Sequence, residues 1–219
     1  MTFKEAMASD RVKEIARDVL EGVTGESHRG AMIISVTILE DYLKECIEGI
    51  YPGNKSGKLY RSLFGERGQF GDIYKSSTYS YAFGYINENA YTSIDKLRDL
   101  RNKAAQSKIP FDLNSEKYQQ KFREIFDLGP GMSQYVHNVS LGALTEYKIH
   151  LIKEFLDSIS DDDEEKQKWW DEEVVRNEGI ATGIAHQLPY IMLSHGIEII
   201  CGYVTYTFKK KVLDINFNK

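Results

Sequence analysis

The chain is poor in cysteine and proline and carries no surplus of positive charge. Its two cysteines, Cys46 and Cys201, each sit in an apolar stretch. Two thiols cannot build the disulfide framework of a small secreted domain, so reduced, buried cysteines in a cytoplasmic protein are expected. The formal net charge is −5. Broad attachment to nucleic acid, which relies on a clustered basic surface, is therefore disfavoured. Residues 1–127 carry 19 basic and 19 acidic side chains, whereas residues 128–219 carry 9 basic against 14 acidic. A surface for nucleic acid is thus expected only in the first part.

The N-terminal Met1-Thr2-Phe3-Lys4-Glu5-Ala6-Met7 mixes charges within a few residues and lacks the apolar core of a secretory signal, so export is not expected. One long apolar segment, Tyr190 to Phe208 followed by Lys209-Lys210-Lys211, has the outline of a membrane span. His195 and Glu198 near its middle make a buried core segment the better reading, and no membrane contact is expected.

With 219 residues and 42% hydrophobic content, the chain can build one large helical domain, or one domain with an extension. Val12, Ile15, Ala16, Val19, Leu20 and Val23 recur at helical spacing over residues 10–23, with Ser9 or Asp10 as the cap. From Ser27 to Tyr51 apolar residues occupy more than one face, as in a helix packed from several sides, and Pro52-Gly53 ends it. Helical stretches are also expected at 58–64, 72–86, 92–106 and 114–127. Gly129-Pro130-Gly131 is the clearest boundary, dividing a helical domain (1–127) from an acidic, mainly helical extension (128–219) packed on it. In the extension, 133–158, 166–185 and 189–210 read as helices, and 160–165 as an acidic turn or helix start. Tyr203-Val204-Thr205-Tyr206-Thr207-Phe208 is rich in β-branched and aromatic residues and admits a short strand at 203–208. The expected fold is all-α, a multi-helix bundle.

Residues 65–106 hold an ordered set of elements. A loop bounded by Gly68 and Gly71 leads into a helix carrying Lys75, then a turn with Ala82 and Gly84, then a helix with Arg98, Arg101 and Asn102. In order and spacing these resemble the mannitol operon repressor family, and with the preceding helix at 27–51 the resemblance covers roughly the first 110 residues. It implies an all-helical fold and a transcriptional regulator that acts through protein contacts; a homodimer through the motif helices is expected. No helix-turn-helix is evident, so direct sequence-specific DNA binding is not expected.

Arg101-Asn102-Lys103-Ala104-Ala105-Gln106 also resembles the Arg-Asn-x-x-x-His signature of the HEPN superfamily, which includes metal-independent ribonucleases of toxin–antitoxin and antiphage systems. The last position departs from it. Such cleavage needs a group that moves a proton near neutral pH, which imidazole does and a carboxamide does not, so Gln106 removes that chemistry. Arg98, Arg101, Asn102, Gln106 and Lys75 are then the residues of a candidate anion, RNA or partner groove, Arg101 holding phosphate through its planar fork. The competing structural reading pairs Arg101 with Asp95 or Asp99. His28, at the start of its helix, is the candidate substitute proton carrier if it approaches Arg101; a histidine with an ordinary packing role is the more frequent case.

Other signals carry less. Gly53-Asn54-Lys55-Ser56-Gly57-Lys58 is one residue short of a P-loop, has Leu59 where Ser or Thr belongs, and follows a helix, so it reads as a linker. The five histidines form no short ligand pair, and neither a metal nor a cofactor is expected. Trp169 and Trp170, beside Asp161-Asp162-Asp163-Glu164-Glu165, are a candidate partner contact, with one Trp in the core and a solvated charge run as the plainer alternative. Among the 14 tyrosines, Tyr74, Tyr79, Tyr81, Tyr85 and Tyr91 crowd the motif, and packing between helices is favoured over stacking on bases. The leading expectation is a non-catalytic regulatory module that binds protein. The alternative is a HEPN-like RNA-binding protein or ribonuclease of a toxin–antitoxin or antiphage system.

Overall fold

A computed structural model describes residues 1–65, 68–160, 162–171 and 178–217, and all statements of absence below refer to these. Asp161, Glu66, Arg67 and residues 172–177, which fall in segments interpreted above, lie outside them. The described residues form helices and no strand.

A short helix that the sequence pattern does not predict comes first, and the next three lie where the pattern puts them. A capping box closes α1 (Phe3–Met7): Thr2 accepts from the Glu5 amide while the Glu5 carboxylate accepts from the Thr2 amide. In α2 (Asp10–Val23), Val12, Ile15, Val19 and Val23 are buried to within 1%. Each contributes on the order of 1.5–3 kcal/mol of apolar burial, an upper figure because the unfolded chain is not fully extended. The Ser27 hydroxyl accepts from the Gly30 amide and starts α3 (His28–Gly49), whose buried residues lie on several faces, as the pattern predicts. After the Pro52-Gly53 break comes α4 (Lys58–Phe64), with the 53–57 segment forming a turn in which Asn54 Oδ1 accepts from the Ser56 amide.

Two motif helices follow. Asp72 caps α5 (Ile73–Ala82), which stops short of the expected 86 because Gly84 adopts a left-handed φ of 71°. Asn87 caps α6 (Glu88–Gln106), which therefore begins four residues before the expected 92. Short α7 (Glu116–Glu124) leads to Gly131, whose φ of 77° makes the turn into α8 (Met132–Ile159). Asp162 accepts from the Glu164 and Glu165 amides to cap α9 (Asp163–Trp169), so part of the acidic run is a helix start.

The last helix, α10 (Glu178–Phe217), corrects two expectations. It is continuous through Pro189, where a new helix was expected to begin. Proline has no amide to give the carbonyl four residues back, and that carbonyl, of Ala185, instead accepts from Asn114 Nδ2 at 3.1 Å. The strand admitted at 203–208 is helix. The Thr205 and Thr207 hydroxyls bond back to the carbonyls of Cys201 and Tyr203 at 2.9 and 3.0 Å, while Val204 and Phe208 are buried, so packing overrides β-propensity.

A single core gathers α2, α3, α6, the 111–128 segment and α10, with α10 against α1, α2, α3 and α8. The region after Gly131 therefore shares a core with the region before it. No described helix is long and apolar enough to cross a membrane. Both cysteines are free, Cys201 buried and Cys46 half-buried.

The seam between α8 and α10 contains a titrating histidine. Ser140 Oγ and His195 Nδ1 are hydrogen-bonded at 3.0 Å, and burial pushes the imidazole pKa down. In the window below about 6.5 the unfolded chain takes this proton before the folded one, so the contribution present above it is lost as the pH falls. Thermal midpoints measured over a pH series are expected to fall on the acid side of neutrality, and less steeply in His195→Gln. An unchanged slope in that variant would contradict the assignment. Glu198, whose carboxyl is raised by burial, acts oppositely at lower pH: the folded state holds its proton longer, so that stability is lost as the pH rises.

Candidate functional site

The motif residues gather where the N-terminus of α5 meets the outer side of α6. α6 turns Ala90, Ser93, Ile94, Leu97, Leu100 and Ala104 into the core. Arg98, Arg101 and Asn102 are left half-buried along its flank. Spacing of three and four residues places these side chains together.

Arg98 is the most constrained. Its Nη2 lies 2.8 Å from Asp95 Oδ1, and its guanidinium carbon stands 4.7 Å from the centre of the Tyr74 ring. Asp99 pairs with Lys103. Both acidic neighbours proposed for Arg101 are thus taken by other partners, and the pairing reading applies to Arg98 in its place.

Arg101 makes no ion pair within 4 Å among the described residues, and its charge acts on Glu40 of α3. Glu40 is half-buried and accepts a hydrogen bond from the Ile73 amide at the start of α5. Burial pushes its carboxyl pKa up, with Arg101 and the Ile73 bond opposing the shift. Next to it Lys75 Nζ lies 3.3 Å from Asp72 Oδ2. Three cations therefore face three carboxylates, and the local charge is close to balanced. The Nε–H groups of both Arg98 and Arg101 are nevertheless buried with no hydrogen-bond partner. An unpaired buried donor is costly, so two of them one helical turn apart mark the place where a further acceptor would be stabilising.

Gln106, the final residue of α6, is exposed. His28 does not join the groove. Its Nδ1 lies 2.8 Å from Asp112 Oδ1 and 3.2 Å from the Leu113 amide, and its ring packs against Tyr190 and His186. Glu40 follows twelve residues later on α3, about 18 Å along the axis at ~1.5 Å per residue. His28 pins the 110–113 segment, aided by Arg29, which donates to the Ser107 and Ile109 carbonyls. It has the packing role.

Sequence reasoning placed Lys75, Arg98, Arg101 and Asn102 near one another and missed Glu40 and Asp72. Glu40 carried a weak signal, one of two adjacent acids, with Asp41, interrupting an otherwise apolar run; Asp72 read only as a helix start. The tyrosines serve mostly in packing: Tyr81 stacks on Tyr91 at 5.0 Å and Tyr85 on Phe208 at 4.8 Å.

A second surface lies on α8 and α9. Tyr147, Leu151 and Phe155 succeed one another at four-residue spacing and are 56%, 39% and 48% exposed. Trp169 extends this stripe, its ring 5.7 Å from that of Phe155. Trp169 and Trp170 are both half-buried, so neither is a fully enclosed core residue. Lys166 anchors α9 on α8 through Asp157 at 2.8 Å. No family model matches this chain, and neither a curated protein nor a solved structure is similar to it.

Proposed function

We propose that this chain is a non-catalytic regulatory module that works by binding protein, and that its first partner is a second copy of itself. The observation that carries the reading is the exposed stripe of Tyr147, Leu151 and Phe155, continued by Trp169. Contiguous exposed apolar side chains that include a tryptophan and a tyrosine are the composition of interface anchors. The α6 flank is a weaker seam for a dimer, because the charges of Arg98 and Lys103 are already paired with Asp95 and Asp99 there. The mannitol operon repressor-like order of elements in residues 65–106 agrees with a regulator acting through protein contacts. The proposal is tested by light scattering on the natural chain and on Leu151→Glu/Phe155→Glu.

A second reading has its own observation. The unpaired Nε–H groups of Arg98 and Arg101, beside the Tyr74 ring and Lys75, suit a phosphodiester with a base stacked close by. On this reading the chain is a HEPN-like RNA-binding protein of a toxin–antitoxin or antiphage system. Single-stranded RNA should then bind in a fluorescence anisotropy titration, about tenfold more weakly in Arg101→Ala. RNA binding that ignores the substitution removes this reading. RNA cleavage that depends on Arg101 would overturn the non-catalytic proposal, and would turn attention to the Glu40 carboxyl as proton carrier.

A further inference from the structure

A cavity of about 430 Å³ lies between the C-terminal parts of α3, α4, α5 and α10 and Phe70. Its walls are largely aromatic. Phe64 stacks on Phe70 at 5.2 Å, Phe70 meets Tyr79 edge-on at 5.5 Å, and Tyr79 lies nearly parallel to Phe83 at 6.3 Å. Phe83 is 62% exposed. The Gly84 turn ends α5 at this point and leaves the Phe83 ring at the mouth.

Ser80 and Lys211 stand at the apolar lining. Ser80 is 2% exposed, and its hydroxyl has no hydrogen-bond partner. A helical serine ordinarily bonds back to a carbonyl of the preceding turn, but this hydroxyl is enclosed behind the lining and is not open to the cavity. Lys211 lines the same space, with its Nζ beside Gly84, and makes no ion pair among the described residues. Among the described residues no carboxylate lines the cavity. An apolar cleft within the range of about 300–1,000 Å³, with a few converging polar groups, is the usual form of a small-molecule site.

The larger cavity, about 540 Å³, between α2, α3 and α10 differs in this respect. There Arg11 is already engaged by Glu45 at 2.7 Å and Glu14 at 2.8 Å, and Tyr42 is hydrogen-bonded to Thr205. Burial pushes the Cys46 thiol up to about 12, away from the reactive thiolate. Its Arg11 is already paired and the Glu45 carboxylate lines the space, so it suits an anion less well.

We propose that the aromatic cavity is a binding site for a planar aromatic anion, such as an aryl carboxylate, whose rings lie among Phe64, Phe70, Tyr79 and Phe83. Its charge meets Lys211. This is independent of the protein-binding proposal above. Aromatic edges and faces favour a flat guest, and a lone ammonium without a carboxylate favours an anionic one.

Calorimetric titration of the full chain with 2-naphthoate and with the neutral 2-naphthalenemethanol tests it. Saturable one-to-one binding is expected, about tenfold tighter for the carboxylate. Lys211→Met should erase that preference and leave the alcohol unaffected, and Lys209→Met, on the wall of the other cavity, should change neither. Absence of saturable binding, equal binding of the two probes by the natural chain, or loss of the preference in Lys209→Met with its retention in Lys211→Met would each overturn the assignment.

Discussion

Phe126→Ala is expected to lower the unfolding free energy by about 3–5 kcal/mol, the range for emptying a fully enclosed aromatic site. Phe126 is wholly buried just after α7, edge-on to Phe122 with ring centroids 5.5 Å apart. Its ring also explains Gly196. A Cβ on that residue would stand 2.0 Å from Phe126 Cε1, far inside van der Waals contact, so α10 passes over the ring only because Gly196 has no side chain. Gly196→Ala should therefore destabilise on its own despite alanine's better helix propensity. In Phe126→Ala the same glycine substitution should cost much less, because the obstructing ring is gone, and the double-mutant cycle should show coupling well above the error of the measurement.

The consequence reaches beyond one contact. Phe126 lies before the Gly129-Pro130-Gly131 turn and Gly196 far after it, so the pair joins the two halves that the sequence separates. Ser194 adds a second tie, its hydroxyl donating to the Ala16 carbonyl at 2.8 Å. Chemical denaturation followed by circular dichroism should show one transition in the natural chain and in both single variants, displaced to lower denaturant in the variants. Two separated transitions, or additive losses in the double variant, would contradict the shared core.

The parts of this fold that could be read in advance are those decided within a few residues. Ser27 and its Gly30 amide, the apolar spacing of α2, and Pro52-Gly53 after α3 are local signals, and each element formed where its signal lay. The end of the chain was harder for physical reasons. Pro189 stays inside a helix because Asn114, 75 positions earlier in the chain, supplies the hydrogen bond that the freed Ala185 carbonyl needs. Nothing near Pro189 announces that partner. Residues 203–208 have strand-like side chains, yet Val204 and Phe208 gain more by burial against the first helices than their β-preference costs. The groove divides in the same way. Arg98, Arg101 and Asn102 are neighbours by helical spacing alone, whereas Glu40 and Asp72 arrive through the packing of α3 and α5 on α6. The local pairing rule did operate among the charges of α6, and it selected Arg98 and Lys103 and left Arg101 to face Glu40.

The second large effect concerns the outer face of α8. Tyr147, Leu151, Phe155 and Trp169 expose apolar surface that no other described helix covers, while the other side of α8 packs on α10 through the seam that holds Ser140 and His195. Covering these side chains removes apolar area from water at about 25 cal/mol per Å², a gain that must exceed the entropy lost on association. Anchors of this kind commonly lose 2 kcal/mol or more each when truncated, at roughly tenfold in affinity for every 1.4 kcal/mol. Introducing Glu at Leu151 and Phe155 also sets like charges opposite one another in a symmetric pair, adding repulsion to the lost contact. Both positions are substantially exposed in the single chain, so the double variant should keep the helical spectrum and thermal midpoint of the isolated protomer.

Multi-angle light scattering over a dilution series is therefore the most direct test of the account. The natural chain is expected to have the mass of a dimer that dissociates on dilution, and Leu151→Glu/Phe155→Glu to have the mass of one folded chain at every concentration. A natural chain that is monomeric throughout, or a variant dimer as stable as the natural one, would contradict the claim that this helix face is where the protein meets its partner.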